Sequence, residues 1–154
     1  LDTLQLIDNH KITVETFRKG VSDMVIYDEE AVKNRFGVLP EQIIDYKGLV
    51  GDQSDNIPGV KSIGPKTAAS ILQKYGNLEN FLSTGNEEKS FPKISEQKEI
   101  ALLSKNLATI RRDAPLEIAN LDELKYQKPP IEKITAYFEK LGFKSLADRT
   151  NKLF

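Results

Sequence analysis

A single run, Gly-Asp-Gln-Ser-Asp-Asn-Ile-Pro-Gly-Val-Lys-Ser-Ile-Gly-Pro-Lys-Thr over residues 51–67, constrains this chain more than any other stretch. Pro58-Gly59 and Gly64-Pro65 interrupt any continuous helix or strand, because proline fixes φ and glycine favours conformations that other residues avoid. Gly59 and Gly64 therefore bracket a tight turn. Pro65-Lys66 then opens a helix, since proline is preorganised for the first helical position. Such a turn can face backbone amides and the positive end of a helix toward an anion. In this arrangement Gly59, Val60, Ile63 and Gly64 shape the hairpin, Lys61 and Lys66 supply charge, and Thr67 offers a hydroxyl to a phosphate. Ile57, Ile63 and Ala68 read as packing residues. A hairpin this short could also hold a monovalent cation such as K+, although the residues themselves give that no support.

Helical periodicity flanks the run on both sides. After Leu39-Pro40-Glu41, the apolar residues Ile43, Tyr46 and Val50 recur at helical spacing and Gly51 stops them. Ala68, Ile71, Leu72 and Tyr75 predict an amphipathic helix over 65–75, stopped by Gly76. Upstream, residues 4–7, 11–17 and 21–27 read as short strands, with turns at Asn9-His10 and Lys19-Gly20. Asp28 caps the next helix, Tyr27 and Val32 can staple its first turn, and Gly37 ends it. Downstream, Asn77 caps a short helix through residue 82 and residues 83–93 read as a loop. Ile100, Leu103 and Leu107 mark a helix from about residue 95, and residues 108–112 read as extended. Ile131, Ile134, Phe138 and Leu141 mark another, ended by Gly142 with Phe143 placed for an apolar contact, and Ser145 caps a last helix.

Charge and composition narrow the chemistry. With 22 basic against 23 acidic residues, any nucleic-acid affinity must come from local placement. No acid lies between Asp55 and Glu79, whereas Lys61, Lys66 and Lys74 do; a solvated lysine face is the plainer alternative. Asp52 and Asp55 stand three apart, which puts both carboxylates on one side if the segment is helical, as two-metal phosphodiester chemistry requires. Acidic residues before a proline turn are also common caps, and both readings stay open. Cysteine is absent and His10, read as part of a solvent-facing turn, is the sole histidine. That excludes disulfides, thiol catalysis and the usual zinc sets, so a catalytic metal here would be Mg2+ or Mn2+. No apolar run approaches membrane-spanning length and no signal-peptide pattern opens the chain, so the expectation is a soluble, cytoplasmic protein without a membrane partner. Leu1 at the start and a sole methionine at Met24 read as a piece of a longer polypeptide.

With these residues in hand, the chain resembles the C-terminal half of the bacterial 5′ nuclease family, in particular the 5′-3′ exonuclease domain of DNA polymerase I. The resemblance rests on Ile44-Asp-Tyr-Lys-Gly-Leu-Val-Gly-Asp-Gln-Ser-Asp-Asn-Ile-Pro-Gly-Val-Lys-Ser-Ile-Gly-Pro-Lys-Thr-Ala. Asp2-Thr-Leu-Gln-Leu, Leu102-Leu-Ser-Lys-Asn-Leu-Ala-Thr-Ile and Phe143-Lys-Ser-Leu support it. It implies an α/β fold, mostly α in this piece: the end of a PIN-like nuclease sheet over 1–37, then a helix-three-turn-helix DNA-binding region over 38–112. Residues 113–154 would form a helical segment packing back on the nuclease core. The resemblance further implies a structure-specific enzyme acting on duplex DNA with a 5′ flap, nick or RNA primer, in replication and repair. Asp52 and Asp55 would then be magnesium ligands, and Asp2 would match the second aspartate of a Gly-Asp-x-Asp motif. The family's N-terminal acidic cluster and arch are absent from these 154 residues. The chain alone is therefore expected to cleave negligibly without that N-terminal nuclease half, and whether a polymerase follows Phe154 stays open. Two alternatives remain: a non-catalytic helix-hairpin-helix DNA-binding module, and a helical protein-interaction domain.

Overall fold

The computed structural model describes residues 1–8, 11–20, 22–118, 120–127 and 129–153. The Asn9-His10 turn and the first residue of the expected 21–27 strand lie outside them. Contacts divide the chain into two compact units, Leu1–Arg112 and Asp113–Phe154. Among the described residues no helix is long and apolar enough to cross a membrane.

The first unit is mostly helical. Among the described residues its sheet is one antiparallel pair, β1 (Val14–Lys19) and β2 (Asp23–Tyr27), with Val14 opposite Tyr27 and an irregularity between Phe17 and Lys19. Residues 4–7, expected as a strand, instead belong to a 3-10 helix, Asp2–Leu6, and its C-cap. Leu4 N–H donates to the Leu1 carbonyl at 3.2 Å and Ile7 N–H to the Leu4 carbonyl at 3.3 Å. Four apolar-rich residues hold too little period to separate a helical turn from a strand.

Capping places the helices that follow. The Asp28 carboxylate accepts the Ala31 N–H at 2.8 Å to start α1 (Glu29–Phe36), and Gly37 ends it at φ +74°. A 3-10 turn, Pro40–Gln42, leads into α2 (Ile43–Val50). Then come α3 (Pro65–Tyr75), α4 (Leu78–Thr84), α5 (Phe91–Glu96) and α6 (Lys98–Ala108). The bounds of α3 match the sequence reading because Pro65 and Gly76 fix both ends. The expected 83–93 loop is shorter: α4 runs to Thr84 and α5 begins at Phe91, where Pro92 sits in the first turn and needs no N–H partner.

Leu4, Val32, Leu49, Leu72, Phe81 and Ile94 are fully buried and belong to one core. The packed face of α6 is not the expected one. Ile100, Leu103 and Leu107 are 41%, 53% and 58% exposed, while Ala101, Ser104 and Ala108 are buried. The cause is a close approach of α2 to α6: a Cβ on Gly48 would lie 3.0 Å from Lys105 Cβ and 3.1 Å from the Ala101 carbonyl oxygen. Only a small-residue face fits such a crossing, and apolar periodicity selects the larger residues instead.

An ionic cluster crosses the same helices. Lys105 Nζ lies 2.6 Å from Asp45 Oδ1 and 2.7 Å from Glu79 Oε2, and Asp45 Oδ1 also accepts the Leu78 N–H at 2.9 Å, at the start of α4. Burial works against the Lys105 ammonium, but its bonds to Asp45 and Glu79 outweigh it and hold its pKa above the ordinary lysine value.

In the second unit a 3-10 turn (Leu121–Leu124) precedes α7 (Ile131–Lys140) and α8 (Lys144–Leu153). Gly142 takes φ +74°, Phe143 N–H reaches the Phe138 carbonyl at 2.9 Å, and the two rings lie 6.5 Å apart, the expected C-terminal contact. The last helix starts at Lys144, one residue ahead of the expected Ser145 cap.

Asp45 is 3% exposed and anchors both Lys105 and the α4 N-terminus. Asp45→Ala should cost about 2 kcal/mol of unfolding free energy, because it removes one partner of the half-buried Lys105 ammonium and strands the Leu78 N–H. Urea denaturation followed by circular dichroism measures the loss.

Candidate metal centre and phosphate-facing hairpin

Two glycines hold this region together by lacking side chains. α2 ends at Gly51 (φ +81°) and the hairpin starts at Gly59 (φ +63°). A Cβ on Gly51 would lie 2.5 Å from the Ile57 carbonyl oxygen, and one on Gly59 would overlap the backbone of Val50 and Gly51. Asp52 N–H donates to the Ile57 carbonyl at 2.9 Å, and Ile57 N–H returns to the Asp52 carbonyl at 2.8 Å. The residues between them, Gln53–Asp55, form one 3-10 turn capped by Asp52. Asp52 itself is extended, and the one-turn step to Asp55 brings the two carboxylates to the same side.

Asp2, from the 3-10 helix Asp2–Leu6, joins them. Each of Asp2, Asp52 and Asp55 offers one carboxylate oxygen, and the three oxygens lie within 4.8 Å of one another. Lys47, on the last turn of α2, reaches the same place: its Nζ hydrogen-bonds Asp2 Oδ1 and lies 2.6 Å from Asp52 Oδ2. Asp52 Oδ1 accepts both the backbone N–H (3.0 Å) and the hydroxyl (2.6 Å) of Ser54. Lys47 first, then Ser54, depress the Asp52 carboxyl from 3.8 to about 2. Lys47 also lowers the Asp2 carboxyl against the opposing effect of burial. Burial disfavours the Lys47 ammonium, yet Asp2 and Asp52 together raise its pKa. Among the described residues, the exposed Asp55 carboxylate makes no hydrogen bond or ion pair. An all-carboxylate set that already attracts an ammonium has the chemistry to hold a hard divalent cation.

Sequence reasoning passed over Lys47. The signal was present: Asp45 and Lys47 are the charged residues of an otherwise apolar α2, and both are buried, at 3% and 8% exposed. Charges in such a helix need partners.

The hairpin residues divide into two groups. Gly59, Val60 and Ile63 are buried, whereas Lys61, Gly64, Lys66 and Thr67 are exposed. The first amides of the turn are spent inside the protein. Gly59 N–H donates to Ser104 Oγ (3.1 Å), Val60 N–H to the Leu49 carbonyl (2.8 Å) and Lys61 N–H to Gln97 Oε1 (3.0 Å). Ile63 N–H closes on the Val60 carbonyl at 3.1 Å. Among the described residues the amides of Ser62, Gly64, Lys66 and Thr67 have no such partner, and no side chain caps α3. A Cβ on Gly64 would meet nothing within 4 Å, so the space over this helix end is open. Among the described residues Lys61 and Lys66 make no ion pair, while Lys74 is tied to Glu88 at 2.5 Å and does not add to the free positive surface. Ser104 and Gln97, which brace the hairpin, carry no sequence signal of that role because their partners lie 45 and 36 residues away.

Comparison with known proteins matches residues 38–132 to a family described as 5′-3′ exonuclease, C-terminal SAM fold. The chain is 47% identical over 151 residues to a DNA polymerase I of Bacillus caldotenax, covering 96% of this chain and 17% of that protein. It is 36% identical over 154 residues to a 5′-3′ exonuclease of Aquifex aeolicus (strain VF5), covering 99% of this chain and 50% of that protein. The chain thus spans at most half the length of either relative. Among solved structures, T5 5′-exonuclease with bound zinc aligns at a TM-score of 0.57 and 23% identity, over 70% of this chain and 39% of that one. The catalytic core of Rad2 in complex with DNA substrate aligns at 0.54 and 18% identity, over 97% and 58%. At those identities the two structures speak for the fold alone.

Two tests follow from the geometry. Gly59→Ala should destabilise the chain by at least about 2 kcal/mol, through left-handed strain and backbone overlap, whereas Gly64→Ala should change stability by less than about 0.5 kcal/mol. Chemical denaturation of both variants decides it. Because the Asp52 carboxyl titrates near 2 folded and near 3.8 free, its contribution is complete above 3.8 and lost as pH falls through about 2. Thermal melts of Asp52→Asn across that window should show a shallower acid limb than the unaltered chain.

Proposed function

Since the chain belongs to the 5′-3′ exonuclease, C-terminal SAM fold family, we propose that it is the duplex-gripping part, and one side of the metal centre, of a structure-specific 5′ nuclease. Residues 1–37 would be the C-terminal part of the nuclease core, 38–112 would hold DNA, and 113–154 would be a C-terminal helical segment. The substrate class is duplex DNA bearing a 5′ flap, a nick or an RNA primer, as processed in replication and repair. One observation carries this reading. The acidic cluster and the open start of α3 are joined by the Gly51–Gly59 contact and the Asp52–Ile57 backbone pair, which set carboxylates and free amides at a fixed separation.

The chain's own residues would divide the work. Gly64 leaves room for a phosphate over the amides of Lys66 and Thr67. Lys61 and Lys66 neutralise backbone charge without reading bases, and the Thr67 hydroxyl donates to phosphate oxygen. Gly59, Val60 and Ile63 keep the loop in shape from inside. Asp2, Asp52 and Asp55 would hold Mg2+ or Mn2+, which supplies Lewis-acid charge and an activated water for phosphodiester hydrolysis when bound. Three carboxylates are few for two ions, so this chain by itself should cleave negligibly. A non-catalytic DNA-binding module is the second reading, favoured by the ion pairs that already satisfy Asp2 and Asp52.

The test is a fluorescence-anisotropy titration of the chain against a labelled 5′-flap duplex and single-stranded DNA of equal length, without magnesium, at two salt concentrations. Salt-sensitive binding that favours the duplex is expected. Lys66→Glu should weaken binding to every duplex sequence alike and reduce the log-affinity against log-salt slope by about 1. Equal affinity of a folded Lys66→Glu chain would overturn the grip.

A further inference from the structure

Lys47 has no part in the DNA grip and is not a metal ligand, yet it stands at the centre of the acidic cluster. It reaches there from α2, 45 residues after Asp2 and 5 before Asp52 in sequence, and it is only 8% exposed. Its ammonium occupies one oxygen of Asp2 and one of Asp52, the second oxygen of Asp52 being committed to Ser54. Among the described residues, a divalent ion entering between Asp2, Asp52 and Asp55 would find Asp55 without an ion pair and would meet the Lys47 ammonium on one oxygen of each of the other two. Ammonium and metal compete for the same oxygens, because both are hard cations seeking carboxylate.

We propose that Lys47 is an exchangeable internal counter-ion: without a divalent ion it holds Asp2 and Asp52 together, and on metal binding it is displaced from them. The inference rests on the metal reading of the three carboxylates. The exchange moves a charged side chain rather than a proton, so no titration is involved. Room for the displaced side chain is at hand, since a cleft of about 320 Å³ lined by Leu4, Phe36, Tyr46, Asp52 and Gln53 adjoins Lys47 itself. Two consequences follow. The site binds metal more weakly than its carboxylates alone would, and it stays assembled when the metal leaves, because a positive charge remains to offset carboxylate repulsion.

The test uses Mn2+ as the probe, with free ion counted by electron paramagnetic resonance during titration of the unaltered chain, Lys47→Met and Asp52→Asn/Asp55→Asn. Lys47→Met should bind Mn2+ at least about tenfold tighter than the unaltered chain, since a competing positive charge is gone. Its melting temperature should also climb more steeply with Mn2+. Equal or weaker affinity in a folded Lys47→Met chain overturns the exchange while leaving the metal site standing. Absence of binding in both, or unchanged binding in the double aspartate variant, overturns the metal reading and the exchange with it. Should Lys47→Met not fold, the unaltered chain gives the answer through amine acylation mapped by peptide mass. Saturating Mn2+ should raise labelling of Lys47 severalfold relative to Lys105, whose partners lie outside the cluster, and unchanged labelling at saturation overturns the proposal.

Discussion

Everything in the functional region depends on two backbones touching where α2 ends and the hairpin begins. Gly51 and Gly59 approach so closely that neither could carry a side chain without moving its neighbour. The contact is fastened by the paired bonds of Asp52 and Ile57, by Val60 N–H on the Leu49 carbonyl, and by Ser104 on the Gly59 amide. Contacts of this sort transmit position rather than affinity. They make the acidic turn and the hairpin one rigid body, so an anion held by the second half of the hairpin has a set position relative to Asp52 and Asp55.

The glycines of the motif therefore serve opposite ends. Gly59 is required by what surrounds it, being buried, left-handed and short of space. Gly64 sits in ordinary extended backbone with nothing near its missing Cβ, so the fold alone does not demand glycine there. A side chain at position 64 would fill the space in front of unpaired amides. The stability of the hairpin and its access to a ligand are thus controlled at different residues. The same split appears in the amides: those of Gly59, Val60 and Lys61 face the protein, and those of Gly64, Lys66 and Thr67 do not.

Much of this was legible in the sequence where local chemistry is decisive. Pro65 and Gly76 bound α3, Asp28 and Gly37 bound α1, and the Asp52 to Thr67 motif announced itself by its glycines, prolines and carboxylates. Where partners come from distant elements the reading failed. Residues 4–7 were too few to show a helical turn, and α6 turned its small face inward because Gly48 lets α2 come close. Asp2 could be tied to Asp52 and Asp55 only through family resemblance, because nothing in Asp-Thr-Leu-Gln-Leu marks a carboxylate destined for a site 50 residues on. Lys47, Ser104 and Gln97 escaped for the same reason: their meaning lies in tertiary partners and not in neighbours.

Lys47 and Lys105 show how one residue type is put to different ends by its surroundings. Lys105 neutralises Asp45 and Glu79, but Asp45 is also bound to the Leu78 N–H at the positive end of α4, so part of its charge is met by the backbone. That cluster is saturated and ties three helices. Lys47 serves Asp2 and Asp52 with a third carboxylate, Asp55, unpaired within 4.8 Å of the same oxygens. The Lys47 ammonium and the Leu1 amino group, 3.9 Å from Asp2 Oδ2, do not balance three carboxylates, and the Ser54 donors add to them at Asp52. The shortfall of positive charge is thus concentrated at one end of the rigid Gly51–Gly59 body, beside the hairpin whose own free amides and lysines attract negative charge. The two halves of the motif thus carry opposite charge imbalances on one rigid body, and in the proposed function a divalent cation and a phosphate strand would each correct one of them.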